Sequence, residues 1–120
     1  MDARARATRI RLIAFDIDGV MTDGGLHYTD DGHELKTFDV QDGLGLKLLQ
    51  RAGLELAIVT GRTSGVVAAR AADLGIEHVF QGVTDKRGLF ATKLPDFSRV
   101  YEIRVTKEGF VECKQSVDLA

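Results

Sequence analysis

The chain has 120 residues, about the size of one hydrophobic core, and with 44% apolar and 28% charged residues it can bury an interior and stay in water. Its 16 basic and 18 acidic side chains leave a net charge of -2, which removes the bulk electrostatic case for a nucleic-acid or anionic-membrane partner. The single cysteine, Cys113, allows no internal disulfide, and neither a signal-like segment nor an apolar run of membrane-spanning length is present, so a cytoplasmic location is expected.

The whole chain, 1–120, reads as one domain, with residues 1–9 a solvated extension. The first strand is expected over Ile10 to Phe15, a short apolar run that stops at Asp16-Ile17-Asp18-Gly19. Leu26 to Thr29 and Glu34 to Val40, separated by the turn-forming Asp30-Asp31-Gly32, form a hairpin signal inserted after that strand. From Leu44 the period becomes helical, with Leu44, Leu48 and Leu49 on the apolar stripe, Lys47, Gln50 and Arg51 on the wet side, and Gly53 as the terminator.

Leu54 to Thr60 reads as a second core strand. A helix opened by Ser64 then runs to Leu74 and ends at Gly75. Ile76 to Phe80 follows as a third strand, and Asp85 is placed to cap a helix that Pro95 ends. Strands alternating with helices imply right-handed parallel crossovers, hence an α/β fold with a doubly wound parallel sheet. Beyond residue 94 the pattern changes: Tyr101, Ile103 and Val105, then Val111 and Cys113, alternate around Lys107-Glu108-Gly109, as in a terminal antiparallel hairpin.

Ligands of open α/β sheets sit beyond the carboxyl ends of the strands, and the polar residues of this chain gather at those ends. Asp16, Asp18, Thr22 and Asp23 follow the first strand; Thr60, Gly61 and Arg62 follow the second; Thr84, Asp85 and Lys86 follow the third. Two close carboxylates are costly unless a cation relieves them, and Mg2+ suits a few carboxylate oxygens completed by water and phosphate. Gly19 lets the backbone approach a phosphoryl group, Thr60 offers a hydroxyl donor, and Arg62 and Lys86 offer positive charge. Each has a plainer reading as a cap, turn or surface residue, and Asp23 in particular can serve only to stabilise its loop.

Together the motifs resemble the haloacid dehalogenase superfamily. Phe15-Asp16-Ile17-Asp18-Gly19 stands as its first motif, Val59-Thr60-Gly61-Arg62 as the second and Asp85-Lys86 as the third. Within it, residues 12–90 resemble the 3-deoxy-D-manno-octulosonate 8-phosphate phosphatases, small members whose cap is reduced to a hairpin. That narrower likeness is carried by Gly32-His33-Glu34-Leu35-Lys36, Phe38-Asp39-Val40-Gln41-Asp42-Gly43-Leu44-Gly45 and Gln81-Gly82-Val83-Thr84-Asp85-Lys86.

The resemblance implies a Rossmann-type sheet with a hairpin cap and Mg2+-dependent hydrolysis of a small sugar-acid phosphate in lipopolysaccharide precursor synthesis. It makes Asp16 the nucleophile that forms an aspartyl-phosphate, Asp18 the acid and then the base, and Thr60 and Lys86 the phosphoryl-orienting and charge-offsetting residues. Gly19, Asp23, Gly61 and Arg62 become substrate-binding, while Mg2+ is held by the Asp16 carboxylate and the Asp18 backbone carbonyl. A homotetramer is implied, because in this subfamily a neighbouring hairpin helps close the site.

Two departures stand against this pattern. The superfamily's fourth motif, an acidic Gly-Asp-Asp cluster, is not found after Lys86, and Gln41 stands where the subfamily usually has Arg. The segment 94–120 shows no likeness to the family, so a truncated or catalytically impaired relative that binds phosphate without turnover remains the alternative.

Overall fold

The computed structural model describes residues 2–93, 99–105 and 111–118, the side chains of 87, 90–92 and the last two segments excepted. The chain divides into two compact units, Met1–Val83 and Thr84–Ala120.

The first unit opens with α1 (Ala3–Ala7), capped by Asp2, whose carboxylate accepts from Ala5 N at 2.8 Å. This short helix buries no residue. It is followed by β1 (Leu12–Phe15), then by the hairpin strands β2 (His27–Tyr28) and β3 (Glu34–Leu35), which pair antiparallel. The hairpin turn is closed by Gly32 N donating to Thr29 O at 2.9 Å, and Thr29 N donates to His33 O at 2.8 Å.

Next come α2 (Val40–Arg51), β4 (Glu55–Val59), α3 (Gly65–Leu74) and β5 (His78–Phe80). Strands β1, β4 and β5 form one parallel sheet in that order, with Phe15 opposite Ile58 and Val59 opposite Phe80. Helix α2 packs on both β4 and α3. The core holds Ile17, Met21, Leu46, Leu56, Ile58, Val67, Ala71, Leu74 and Ile76, so the residues just past β1 belong to the same interior as the middle of β4.

Helix α3 runs where the sequence places it. Ser64 accepts from Val66 N at 3.2 Å, Val67, Ala71 and Leu74 face inward, and Gly75 ends the helix at φ 68°, a left-handed conformation that a Cβ penalises.

Helix α2 corrects two expectations. It begins at Val40 rather than Leu44, because Asp39 caps it by accepting from Gln41 N at 2.7 Å, and the extended segment therefore ends before Val40. Its buried residues are Gly43 and Leu46, with Leu49 half-buried, whereas Leu44 and Leu48 are 60% and 52% exposed. The arc toward the core runs through a glycine, which a search for large apolar residues passes over. A Cβ at position 43 would stand 2.5 Å from Arg70 Nη2, while the Arg70 guanidinium lies over the Phe38 ring at 5.7 Å.

The second unit contains α4 (Lys86–Lys93) and the antiparallel pair β6 (Arg99–Val105) and β7 (Val111–Asp118). Asp85 caps α4 by accepting from Gly88 N at 3.1 Å. Ile103 lies opposite Cys113, and the register shifts between Val100 and Glu102. The terminal hairpin is thus present in the described strands; its expected turn at Lys107-Glu108-Gly109 and the residue Pro95 lie outside the described residues.

Candidate functional site

Parallel pairing of β1 with β4 brings the segments that follow both strands to one edge of the sheet. Asp16 is the first residue past β1 and Thr60 the first past β4. Ile17 N donates to Asp16 Oδ1 at 2.7 Å, while the Ile17 side chain anchors the turn in the core at 1% exposure. Met21 N and Val20 N both donate back to Ile17 O, at 2.9 and 3.1 Å, so the chain curls immediately after Asp16 rather than continuing as a strand. Asp16 and Asp18 are therefore set by a turn.

Gly19 sits in that turn at φ 81° with no heavy atom within 4 Å of where a Cβ would stand, which leaves the backbone open to close approach. The Thr22 hydroxyl accepts from Gly19 N at 3.3 Å and from Gly24 N at 3.2 Å, tying the loop across itself. Asp23 accepts from Gly25 N at 2.8 Å, the loop-stabilising role its position also allows. Val20, Thr22 and Asp23 face Thr37, Asp39 and Asp42 across an open depression of about 520 Å³.

Past β4, Thr60 is 1% exposed; its backbone N donates to Phe80 O at 3.0 Å and its carbonyl accepts from Val83 N at 3.0 Å. These two bonds hold the Thr60-Gly61-Arg62 turn against the end of β5. Gln81 Oε1 accepts from Ser64 N at 2.7 Å, so the segment after β5 also fixes the start of α3.

The charged part of the site is a closed ring. Lys36 Nζ lies 2.6 Å from Asp18 Oδ1 and 2.7 Å from Glu34 Oε1, and Arg62 meets the same two carboxylates, with Nε 3.6 Å from Asp18 Oδ2 and Nη2 3.4 Å from Glu34 Oε2. Arg62 Nη2 also donates to the Tyr28 hydroxyl at 3.0 Å. Three segments are thereby joined, namely the turn after β1, the hairpin and the turn after β4. The side chain of Lys36 is only 2% exposed. Burial pulls its ammonium's pKa down, but the bonds to Asp18 and Glu34 outweigh that and leave it raised. The Lys36 bond holds the Glu34 carboxyl below its ordinary range.

Of the residues singled out from sequence, the first unit brings Asp18 and Arg62 into direct contact and sets Asp16, Gly19, Thr60 and Gly61 at the same sheet edge. Lys86 is the first residue of α4 and belongs to the second unit. Among the described residues no group of three or more His, Cys, Asp or Glu side chains is placed to hold a metal ion.

Sequence reasoning passed over Lys36, Glu34 and Tyr28 as site residues. The available signal was the spacing of Glu34 and Lys36, which at i and i+2 on an extended segment share a face opposite Leu35. Two of the three histidines pair away from this ring: His33 with Asp31 at 2.9 Å in the hairpin turn and His78 with Glu55 at 2.9 Å on the sheet.

No protein-family profile matches the chain. It is 42% identical over 93 residues to the 3-deoxy-D-manno-octulosonate 8-phosphate phosphatase KdsC of Escherichia coli (strain B / BL21-DE3), a match covering 78% of this chain and 50% of that protein. Among solved structures it is similar to the 3-deoxy-D-manno-octulosonate 8-phosphate phosphatase of Moraxella catarrhalis in complex with magnesium ion, phosphate ion and KDO, at 44% identity and a TM-score of 0.74. That likeness covers 78% of this chain and 53% of the other. The cobalt-bound phosphatase of Haemophilus influenzae matches at 40% identity and a TM-score of 0.68, over 72% of this chain and 51% of that one. The chain spans about half the length of the curated relatives it matches.

Proposed function

We propose that this chain, which has the α/β fold of the haloacid dehalogenase superfamily and resembles its octulosonate 8-phosphate phosphatases, hydrolyses a small sugar-acid phosphate through an aspartyl-phosphate. The observation that carries the reading is the meeting of Asp18 and Arg62 at the sheet edge where Asp16 and Thr60 follow adjacent parallel strands.

Asp16 attacks phosphorus, and Asp18 protonates the departing sugar oxygen and then activates water. The Thr60 hydroxyl and the Gly61 backbone orient the phosphoryl oxygens, with Gly19 leaving room on the other side. Arg62 and Asp23 face the substrate, and Lys86 keeps the charge-offsetting role of its motif. The donor chemistry suits Mg2+: the Asp16 carboxylate and the Asp18 carbonyl are hard oxygens, and this ion takes one or two carboxylates and completes its shell with water and phosphate. When bound, it neutralises charge on the phosphoryl group. The relatives' names support an octulosonate 8-phosphate-like sugar-acid phosphate as substrate; a place in lipopolysaccharide precursor synthesis, a cytoplasmic location and a homotetrameric assembly are part of the same proposal and rest on the motif resemblance alone.

The test is turnover of p-nitrophenyl phosphate and of 3-deoxy-D-manno-octulosonate 8-phosphate with Mg2+, against Asp16→Asn and against chelation by EDTA. Activity that falls to background in both controls is the expected outcome; turnover that survives Asp16→Asn rejects the reading. A second reading is favoured by the ion-pair ring, in which both Asp18 oxygens already face cations: the chain holds a phosphorylated ligand without turnover. Phosphate binding with no turnover of either ester selects it.

A further inference from the structure

The two oxygens of Asp18 are not equivalent. Lys36 Nζ stands 2.6 Å from Oδ1, a short charge-assisted hydrogen bond, whereas Arg62 Nε stands 3.6 Å from Oδ2, beyond hydrogen-bonding distance. The Lys36 ammonium cannot easily leave, because its side chain, at 2% exposure, has little access to water and depends on its carboxylate partners. Its charge is nevertheless divided, since Glu34 Oε1 takes the same ammonium at 2.7 Å. The residue is therefore anchored from the hairpin side and reaches across to one chosen oxygen of Asp18.

We infer that Lys36 is a positioning residue for Asp18, committing Oδ1 to its own ammonium so that Oδ2 is the oxygen presented for proton transfer. The inference rests on the acid-base assignment of Asp18 made above. In the first step the Asp16 oxygen bonds to phosphorus as the bond from phosphorus to the sugar oxygen breaks, and the proton on Asp18 Oδ2 passes to that sugar oxygen. In the second, Oδ2 takes a proton from water as the hydroxide oxygen bonds to phosphorus and the Asp16 acyl-phosphate bond opens. Glu34 acts one shell further out, by fixing Lys36 from the hairpin.

Leaving-group dependence separates this role from a merely structural one. A nitrophenolate departs without help from an acid, whereas a sugar alkoxide requires the proton, so only the second reaction is sensitive to where Oδ2 points. kcat/KM is measured with Mg2+ for p-nitrophenyl phosphate and for the octulosonate 8-phosphate ester, since it reports the steps up to release of the leaving group.

Lys36→Met is expected to lose about 10²-fold on the sugar ester and less than about tenfold on the nitrophenyl ester, with part of the sugar-ester loss regained in Lys36→Arg. Where Lys36→Met fails to fold, the pair Glu34→Gln with Lys36→Met removes the opposed charges together and carries the same expectation. Equal losses on the two esters, or no recovery in Lys36→Arg, overturn the inference and leave the phosphatase reading intact. A wild-type chain that turns over neither ester overturns the reading and the inference together.

Discussion

Strand β4 and the hairpin β2–β3 are held in place by different physics. Four of the five residues of β4 are buried, and Ala57 and Ile58 are 0% exposed, so the strand is stabilised by removing apolar surface from water and by hydrogen bonds to strands on both sides. The hairpin has two residues per strand and leaves Leu26, Tyr28 and Leu35 more than half exposed. Its tie to the sheet edge is the ring of Glu34, Lys36, Asp18 and Arg62, with Tyr28 attached to Arg62. Burial fixes where an element lies without regard to small rotations, whereas an ion pair fixes the direction of particular oxygens. The molecule uses the first for the scaffold and the second to tie the hairpin to Asp18 and Arg62.

The comparison breaks most visibly on the burial side. Ile58→Ala removes a fully buried side chain and is expected to destabilise the first unit by about 3 kcal/mol, read as a lower urea midpoint with an unchanged slope. An equal midpoint in the variant refutes the assignment of β4 as the scaffold's centre.

The charged side is sharpened by pH. The Lys36 bond lowers the Glu34 pKa from its usual 4.5, so the stability Glu34 contributes is fully present above that value and is lost as pH falls through the lower folded value. The gap in unfolding midpoint between wild type and Glu34→Gln is therefore expected to be constant near neutrality and to close in acid below about 4.5. A gap independent of pH means that the carboxylate is not what holds the hairpin. The smallest effect belongs to Glu55→Gln, which removes a pair with His78 in which both partners are substantially exposed; less than about 0.5 kcal/mol is expected from the same unfolding curves.

The scaffold was legible because its signals are local. Ser64, Gly75 and Asp85 mark helix ends by bonds or backbone conformations within a few residues, and the apolar run before Asp16 needs no distant information to read as a strand. The same holds for the residues following β1 and β4, which parallel pairing was bound to bring to one edge. Helix α2 was misread in phase because its inward arc passes through Gly43, and a residue without a side chain gives no apolar signal. Lys36 and Glu34 were passed over for a related reason: a lysine is ordinarily a solvated charge, and only pairing across 18 residues of sequence to Asp18 makes this one internal.

The small residue at position 43 also bears on how the first unit assembles. Helix α2 carries Gly43 and Gly45 near its start, and each costs about 1 kcal/mol relative to alanine in a helix interior, so its 12 residues have little tendency to coil unaided. The close seat of Arg70 against Gly43, with Leu46 turned into the core, rewards the helical form only when α3 and β4 are already alongside. Helix α2 thus draws its stability from docking rather than from its own sequence, and the Asp39 cap depends on that docking.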